Sequence, residues 1–425
     1  MFGYKLITTL FLVCSVYDTN AQNTIIDTPG IEKSHYKNHQ RRLPIFDNSR
    51  AIDLIDLGNG ILNKFPDRTL DTVHIAHNQK LHSSLLPGLG YAIQTGGEIE
   101  LSYLGGFYTS KQANENQSSL LATIIYTQKQ QLLIPAVGNF WTNNNKYNIQ
   151  TDWRFLVYPL TTYGLGGYSS LDKGYVLNYT NLRLYNSIYK VIRPDIYFGL
   201  GYDFDYYWNV HEVMPPSGNT DFQKYNQTNN LKPGSAIASA PTVSFLYDTR
   251  RNSINPEGGS FINLTYRLNR IEFGSSQNWQ SLALDLRKYI QLSANKKQLL
   301  AFWAYEWLTI DGTPPYLELP NIGGDPYANT GRGFAEARFR GRNMLYLEGE
   351  YRFGILRNGL LGGVLFANTE SFSEQTNDQF ARVYAGYGAG IRIKFNKFSR
   401  TNVVFDYAFG TDGSKGLFLN LGEAF

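Results

Sequence analysis

The most constraining feature of this chain is a period-two alternation that runs longer than an ordinary strand and carries charge on one side. In 196–207, Ile196, Phe198, Leu200, Tyr202, Phe204 and Tyr206 alternate with Tyr197, Gly199, Gly201, Asp203, Asp205 and Tyr207. In 261–269, Ile262, Leu264, Tyr266 and Leu268 alternate with Asn263, Thr265, Arg267 and Asn269. Residues 345–353 set Leu345, Leu347, Tyr351 and Phe353 against Tyr346, Glu348, Glu350 and Arg352. Residues 383–395 set Val383, Ala385, Tyr387, Ala389, Ile391, Ile393 and Phe395 against Tyr384, Gly386, Gly388, Gly390, Arg392 and Lys394. This period is the strand signal, and the runs span 9–13 residues. Strands of soluble sheets average ~5–6 residues, whereas tilted membrane strands need ~9–11. An unpaired charge inside a sandwich core is costly; facing a wet lumen it costs little. The pattern therefore predicts an all-β fold, a closed antiparallel transmembrane β-barrel with apolar residues toward lipid and polar residues toward a lumen. Closure follows because every backbone group in lipid needs a hydrogen-bond partner.

Composition excludes other classes. Charged residues are 17% of the 425, against ~25% in a soluble globular chain. Aromatics reach 15%, with Tyr 31 and Phe 26, too many for a disordered chain. Lys+Arg 39 against Asp+Glu 35 leaves a net charge of +4, too even to imply a nucleic-acid partner. Beyond a short N-terminal stretch, no window approaches the ~18 consecutive apolar residues of a spanning helix. Trp141, Trp153, Tyr158, Tyr206, Tyr207 and Trp208 gather at run ends, as interfacial girdles require. At about 20–24 residues per strand with its connection, the stretch 87–425 accommodates ~14–17 strands. Bacterial barrels favour even counts, so fourteen or sixteen are expected, with sixteen preferred. The polar segments 215–233, 314–342 and 371–379 read as extracellular loops.

The N-terminus reads as a secretory signal peptide over 1–21, with Lys5 ahead of an apolar core and cleavage after Ala21. Cys14, the sole cysteine, lies inside it, so the mature chain does not rely on disulfides. Residues 22–86 differ from the rest and read as an N-terminal periplasmic extension or plug. Asp47-Asn48-Ser49 is expected to cap a short helix with Ile52, Ile55 and Leu62 on one face. His74 and His77 read as surface histidines rather than a metal site, since no ligand set accompanies them. No metal and no cofactor are expected.

Two segments carry local chemistry. The run 245–252 contains Asp248 and Arg250 on one face and leads into Asn255-Pro256-Glu257-Gly258, whose residue types make a turn. Thr330-Gly331-Arg332-Gly333-Phe334 lies in a long polar segment and is followed by Glu348, Glu350 and Arg352 on one strand face. A guanidinium donates paired hydrogen bonds to carboxylates, and a lumen strengthens such a pair relative to an exposed one.

These segments, with the strands 403–408 and 417–425, resemble the bacterial surface antigen superfamily, the BamA/TamA-like outer-membrane proteins. The family's Asp-x-Arg hairpin with its Pro and Gly turn falls on Asp248, Arg250, Pro256 and Gly258. The resemblance implies that the long loop folds back into the barrel. Arg332 is then the loop arginine, Gly333 and Phe334 its motif neighbours, and Glu350 and Asp406 its wall partners. The family usually has Val before the arginine, where this chain has Thr330-Gly331. The resemblance also implies a first barrel strand from Pro87 and a last strand running to Phe425, with Leu421 and Phe425 as a terminal signal for insertion. The family's assembly members carry several periplasmic domains ahead of the barrel, and residues 22–86 show no matching rhythm.

By the same resemblance, the chain is expected in the bacterial outer membrane, acting in protein assembly or translocation as an accessory component. Its partners would be outer-membrane lipid, other assembly components or unfolded barrel clients. A weakly paired seam between first and last strands would template a client strand. The alternative on the same fold is a passive solute channel or transporter, with the loop as a constriction. Enzyme signatures are lacking: no G-x-S-x-G elbow, H-E-x-x-H or P-loop occurs. His211 lies beside Trp208 and Glu212 at a strand end and reads as a surface histidine, so no enzyme is expected.

Overall fold

The computed structural model describes residues 51–61, 81–92, 94–110, 116–293, 298–375, 377–397 and 399–425. The expected signal peptide at 1–21, the Asp47-Asn48-Ser49 cap, His74 and His77 lie outside the described residues, as does most of the 22–86 extension.

Sixteen antiparallel strands close into one barrel, each pairing with its sequence neighbours and β16 returning to β1. They are β1 (His82–Ala92), β2 (Gly96–Phe107), β3 (Ser118–Thr127), β4 (Leu132–Trp141), β5 (Tyr147–Thr162), β6 (Tyr175–Arg193), β7 (Ile196–Val213) and β8 (Ala236–Asp248). The second half is β9 (Gly259–Asn269), β10 (Trp279–Gln291), β11 (Gln298–Gly312), β12 (Asn343–Gly354), β13 (Leu361–Phe372), β14 (Tyr384–Lys394), β15 (Asn402–Gly410) and β16 (Lys415–Leu421). The wall obeys the alternation read from sequence. On β7, Phe198, Leu200 and Tyr202 face outward and are exposed, while Gly199, Asp205 and Tyr207 are buried. Leu200 is 58% exposed and Asp205 0%. On β12, Tyr346, Glu348, Glu350 and Arg352 are buried, and Leu347 faces out. β1 begins at His82 and carries Pro87 in its interior. Proline cannot donate to a ladder; β1 is paired along its whole length with β2, and its other edge is the less paired one.

That edge faces β16. The β1–β16 seam is registered by the pair Tyr91–Leu419 among the described residues, whereas β15 and β16 pair continuously from Val403–Leu421 to Phe409–Lys415. The sequence expectation of a last strand running to Phe425 is corrected here: β16 stops at Leu421. Glu423 has the parity of Leu419 and Leu421, so a continued strand would turn its carboxylate toward lipid. Gly422 instead takes φ +108°, a left-handed backbone that favours glycine. The chain bends inward there, and Phe425 is buried.

The first and last strands place both chain ends at one mouth of the barrel, here called the terminal mouth. The connections 214–235 and 313–342 lie at the far mouth. Helix α1 (Leu54–Ile61) docks at the terminal mouth. Asp53 Oδ1 accepts from Asp56 N at 2.8 Å, and Asp53 N donates to Asp56 Oδ2 at 3.1 Å, a reciprocal cap. Lys397, in the β14–β15 connection, donates its backbone N–H to Asp53 at 2.9 Å and its ammonium to Asp56 at 2.9 Å. The β8–β9 and β14–β15 connections also meet: Asn255 Nδ2 donates to the Arg400 carbonyl at 3.2 Å, and Arg400 pairs with Glu257 at 3.1 Å. At the far mouth, helix α2 (Asp221–Thr228) is capped by Thr220, which accepts from Gln223 N. Its Tyr225 hydroxyl donates to the Pro314 carbonyl at 2.8 Å.

The two faces of one strand predict opposite tolerances. Leu365 faces outward near the middle of β13. Leu365→Arg is expected to destabilise the folded barrel by about 2–4 kcal/mol in lipid vesicles, read from urea unfolding. An unchanged midpoint would contradict the outward assignment.

Candidate functional site

The 313–342 connection folds into the lumen, and Arg332 is a buried charged anchor of it. One guanidinium nitrogen donates to Asp406 Oδ2 on β15 at 2.7 Å. The other meets both Glu348 and Glu350 on β12. Its plane lies over the Phe366 ring of β13, 3.7 Å from the centroid. Asn368 on β13 donates to the Arg332 carbonyl at 2.9 Å. All three carboxylates and the arginine are buried. The acids do not depend on Arg332 alone. Arg352 donates to Glu350, Arg392 to Asp406, and the Tyr346 hydroxyl to Glu348.

The motif neighbours lock the loop's height. Gly333 has φ +110°, and a Cβ there would sit 2.9 Å from the Phe409 carbonyl oxygen. Phe334 is buried edge-on to Phe339 and Tyr384, at 5.4 and 6.4 Å between centroids. Thr330, where the family usually has Val before the arginine, is a staple: its hydroxyl donates to Asp325 at 2.7 Å and accepts from Gly323 N at 2.9 Å.

Other anchors reach further parts of the wall and its connections. Arg154 on β5 donates to the Pro326 carbonyl at 2.7 Å, and Tyr316 hydrogen-bonds Thr162 of β5 at 2.9 Å. Arg267 on β9 pairs with Glu318 at 3.1 Å. Arg338 pairs with Asp412 at 2.7 Å. Tyr158 on β5 donates to Glu336 at 2.5 Å. Burial first, then Asp205, pushes the Glu318 carboxyl up to about 7. Burial also pushes Glu336 up to about 7, against the opposing hydrogen bond from Tyr158.

The inward-turned tail joins the same network. Glu423 pairs with Arg392 at 2.7 Å and accepts from Asn402 at 2.5 Å. Burial works against the Glu423 anion, but Arg392 and then Arg352 outweigh it and hold its carboxyl down at about 2. Arg352 donates to the Phe425 carbonyl oxygen at 2.9 Å, and the Phe425 ring lies 5.3 Å from that of Trp303. Asn329, in the loop, donates to the Ala424 carbonyl at 2.7 Å. Loop and tail thus touch each other inside the barrel.

Among the residues singled out from sequence, Arg332, Gly333, Phe334, Glu350 and Asp406 meet in this cluster. Asp248 and Arg250 form a bidentate pair at 2.9 and 2.8 Å beside the β8–β9 connection. Pro256 is buried in that connection, with Gly258 two residues on. Arg250 lies over the Phe261 ring, 4.2 Å from its centroid, and Arg287, over the same ring, also lies over Tyr327 of the loop. Leu421 is exposed on the outer wall, and Phe425 is within the lumen. His211 is exposed and hydrogen-bonded to Asn178 at 3.3 Å. Sequence reading did not single out Asn368, Phe366 or Arg392 as partners. Parity marks Arg392 as inward, but nothing local marks its height on the wall. No cluster of metal-ligating side chains occurs among the described residues.

The geometry defines a class: a transmembrane barrel whose lumen is crossed by one of its own long loops, held by a buried arginine. Residues 107–425 match the Omp85 superfamily domain. The chain belongs to that superfamily. It is similar in fold to BamA from Haemophilus ducreyi lacking POTRA domains 1-3, with TM-score 0.55 at 14% identity, covering 81% of this chain and 70% of that one. CdiB from Acinetobacter baumannii matches with TM-score 0.53 at 12% identity, over 81% of this chain and 60% of that one. CdiB from Escherichia coli matches with TM-score 0.53 at 10% identity, over 80% and 62%. The chain therefore spans less than two thirds of either CdiB. Comparison with curated proteins gives no match.

Two outcomes check the loop anchors. Arg332→Ala leaves buried carboxylates short of a counter-charge and is expected to cost about 3–5 kcal/mol. The check is a lower temperature for the heat-modifiable mobility shift; an unshifted transition would separate the arginine from stability. Glu336 binds its proton more tightly folded than unfolded, so its stabilising contribution is present at low pH and is lost as pH rises through about 7. Between about pH 5 and 8 the wild-type melting temperature should fall, and Glu336→Gln should flatten part of that slope.

Proposed function

We propose that this chain acts at the bacterial outer membrane in the assembly or translocation of other proteins, as an accessory component and without a catalytic step. The observation that carries this reading is the seam. β1 is paired along its whole length with β2, yet it meets β16 at Tyr91–Leu419 alone among the described residues. Continuing that register would set Glu423 opposite Pro87 and Phe425 opposite Leu85, but the tail has left those positions for the lumen. The β16-facing edge of β1 is then an edge to which an incoming strand can add, with main-chain hydrogen bonds for affinity and alternate side chains for selectivity.

Superfamily membership and fold likeness to BamA and CdiB support the same reading. In it, residues 1–21 are the signal peptide and most of 22–86 is the periplasmic extension; the surface antigen domain, put at 87–425 from sequence, takes in the start of β1 at His82. The terminal mouth faces the periplasm. Arg332, Gly333, Phe334, Glu350 and Asp406 act as the loop latch, which keeps the lumen occupied while the seam works. The clients are unfolded barrel chains, and the partners are outer-membrane lipid and other assembly components.

The test is a pair of cysteines. Tyr91→Cys with Leu419→Cys should crosslink on mild oxidation in the folded protein. The locked protein should lose insertion of an unfolded barrel client into reconstituted vesicles and regain it on reduction. Full insertion with the seam locked would remove the gating role. In planar bilayers the wild-type chain should be near-silent, because the loop anchors reach β5, β9, β12 and β15 across the lumen. Stable, large open states would favour a channel instead.

A further inference from the structure

The outer wall over β9–β13 carries a depression of about 580 Å³ that the proposed assembly role does not use. Its shape follows from the register. Ser260, Lys288, Phe302, Gly349 and Ala367 lie in one cross-strand row on successive strands. In the next row Ala304 faces Leu347. All of these have outward parity. Small residues at 304, 349 and 367 form a floor, and Phe302 and Leu347, both exposed, stand above it. The glycine is not required by the backbone: a Cβ at Gly349 would lie 3.7 Å from the Phe302 ring, an ordinary contact. What Gly349 supplies is room.

One end of this groove is charged. Lys288 is exposed on the outward face of β10, three residues before the strand ends at Gln291. Its ammonium donates to Ser260 Oγ at 2.9 Å, one of the three donors such a group has. No carboxylate among the described residues pairs with it. Ser260 is the second residue of β9, so the cation stands near the terminal mouth. Leu347 is the fifth residue of β12, which starts from the far mouth, so the groove runs from the terminal rim toward mid-height. A cation at the rim with an apolar trough leading inward has the polarity of one membrane lipid, headgroup outermost. A lysine on a lipid-facing wall is costly unless it reaches a headgroup.

We propose that this groove is a binding site for one glycerophospholipid of the leaflet on the terminal side. The lipid phosphate sits against Lys288 and Ser260, and an acyl chain lies over Gly349 between Phe302 and Leu347. The site belongs to the wall rather than the seam, so it stands or falls apart from the assembly role.

The full chain, reconstituted in vesicles of phosphatidylethanolamine and phosphatidylglycerol, is labelled with a trace of phosphatidylglycerol carrying a photoactivatable acyl chain. Crosslinked peptides are then mapped by mass spectrometry. Labelling is expected to concentrate on β11 and β12 over the wall of β3 and β4. Gly349→Leu, which fills the floor, should abolish the excess. Lys288→Gln should cut it about five-fold, the factor that one lysine near a phosphate surface carries. Gly349→Ala should leave it nearly intact. Folding of each variant is checked by its heat-modifiable mobility, and the lysine variant tests the site even if the leucine variant fails to fold. Even labelling around the barrel, or labelling indifferent to Lys288→Gln, overturns the proposal. So does equal labelling by a photoactivatable maltoside detergent, which has no phosphate.

Discussion

The structure depends on a guanidinium held among carboxylates where water is scarce. Arg332 lies between Asp406 on β15 and the Glu348–Glu350 pair on β12, so one side chain ties a loop to two separated parts of the wall. Desolvating such charges is expensive, and it is repaid when geometry and further hydrogen bonds satisfy the remaining atoms. Here Arg352, Arg392 and Tyr346 supply the acids and Asn368 supplies the Arg332 carbonyl, while Arg332 Nε and Arg352 Nη1 are buried without a partner. A recurrent device keeps the rest of the lumen neutral. Period two sets residues i and i+2 on one face, and acid–arginine pairs at that spacing occur at 152/154, 248/250, 285/287 and 350/352. Each pair neutralises itself within its own strand, or just beyond a strand end at 248/250, before any loop arrives.

Much of the wall is legible in sequence because two solvents write it. Lipid outside and polar lumen inside force a parity that no soluble sheet of this length needs, and β7, β9, β12 and β14 show it residue by residue. Length divided by strand spacing narrows the count to fourteen or sixteen, and the barrel has sixteen. The last strand is less legible: its apolar alternation points on toward Phe425, and the stop is set by Glu423, whose parity conflicts with lipid and whose carboxylate finds Arg392 instead. The candidate site is legible by type and not by position. The loop arginine and the acids on β12 stand out from their motif and parity. Which wall residues share its height depends on strand tilt and stagger, which connect residues far apart in sequence, and so Asn368, Phe366 and Arg392 carry no local mark.

Loop and tail form one assembly with the seam. The tail turns away from the β16-facing edge of β1 and enters the lumen, where Asn329 of the loop and Arg352 of β12 receive it. The same four residues that would have completed the seam are instead part of the lumen packing. The loop therefore touches the tail of the last strand directly, through the Asn329 side chain.

The contact between the β8–β9 and β14–β15 connections has a mechanical consequence. Glu257 and Asn255 join Arg400 across the terminal mouth, and α1 is bound to Lys397 of the same connection. This joint divides the circumference into a short arc, β9 to β14, and a long arc that contains the seam. The joint thus adds a cross-tie at the terminal mouth to the short arc, which bears the acids of β12 and the outer-wall groove.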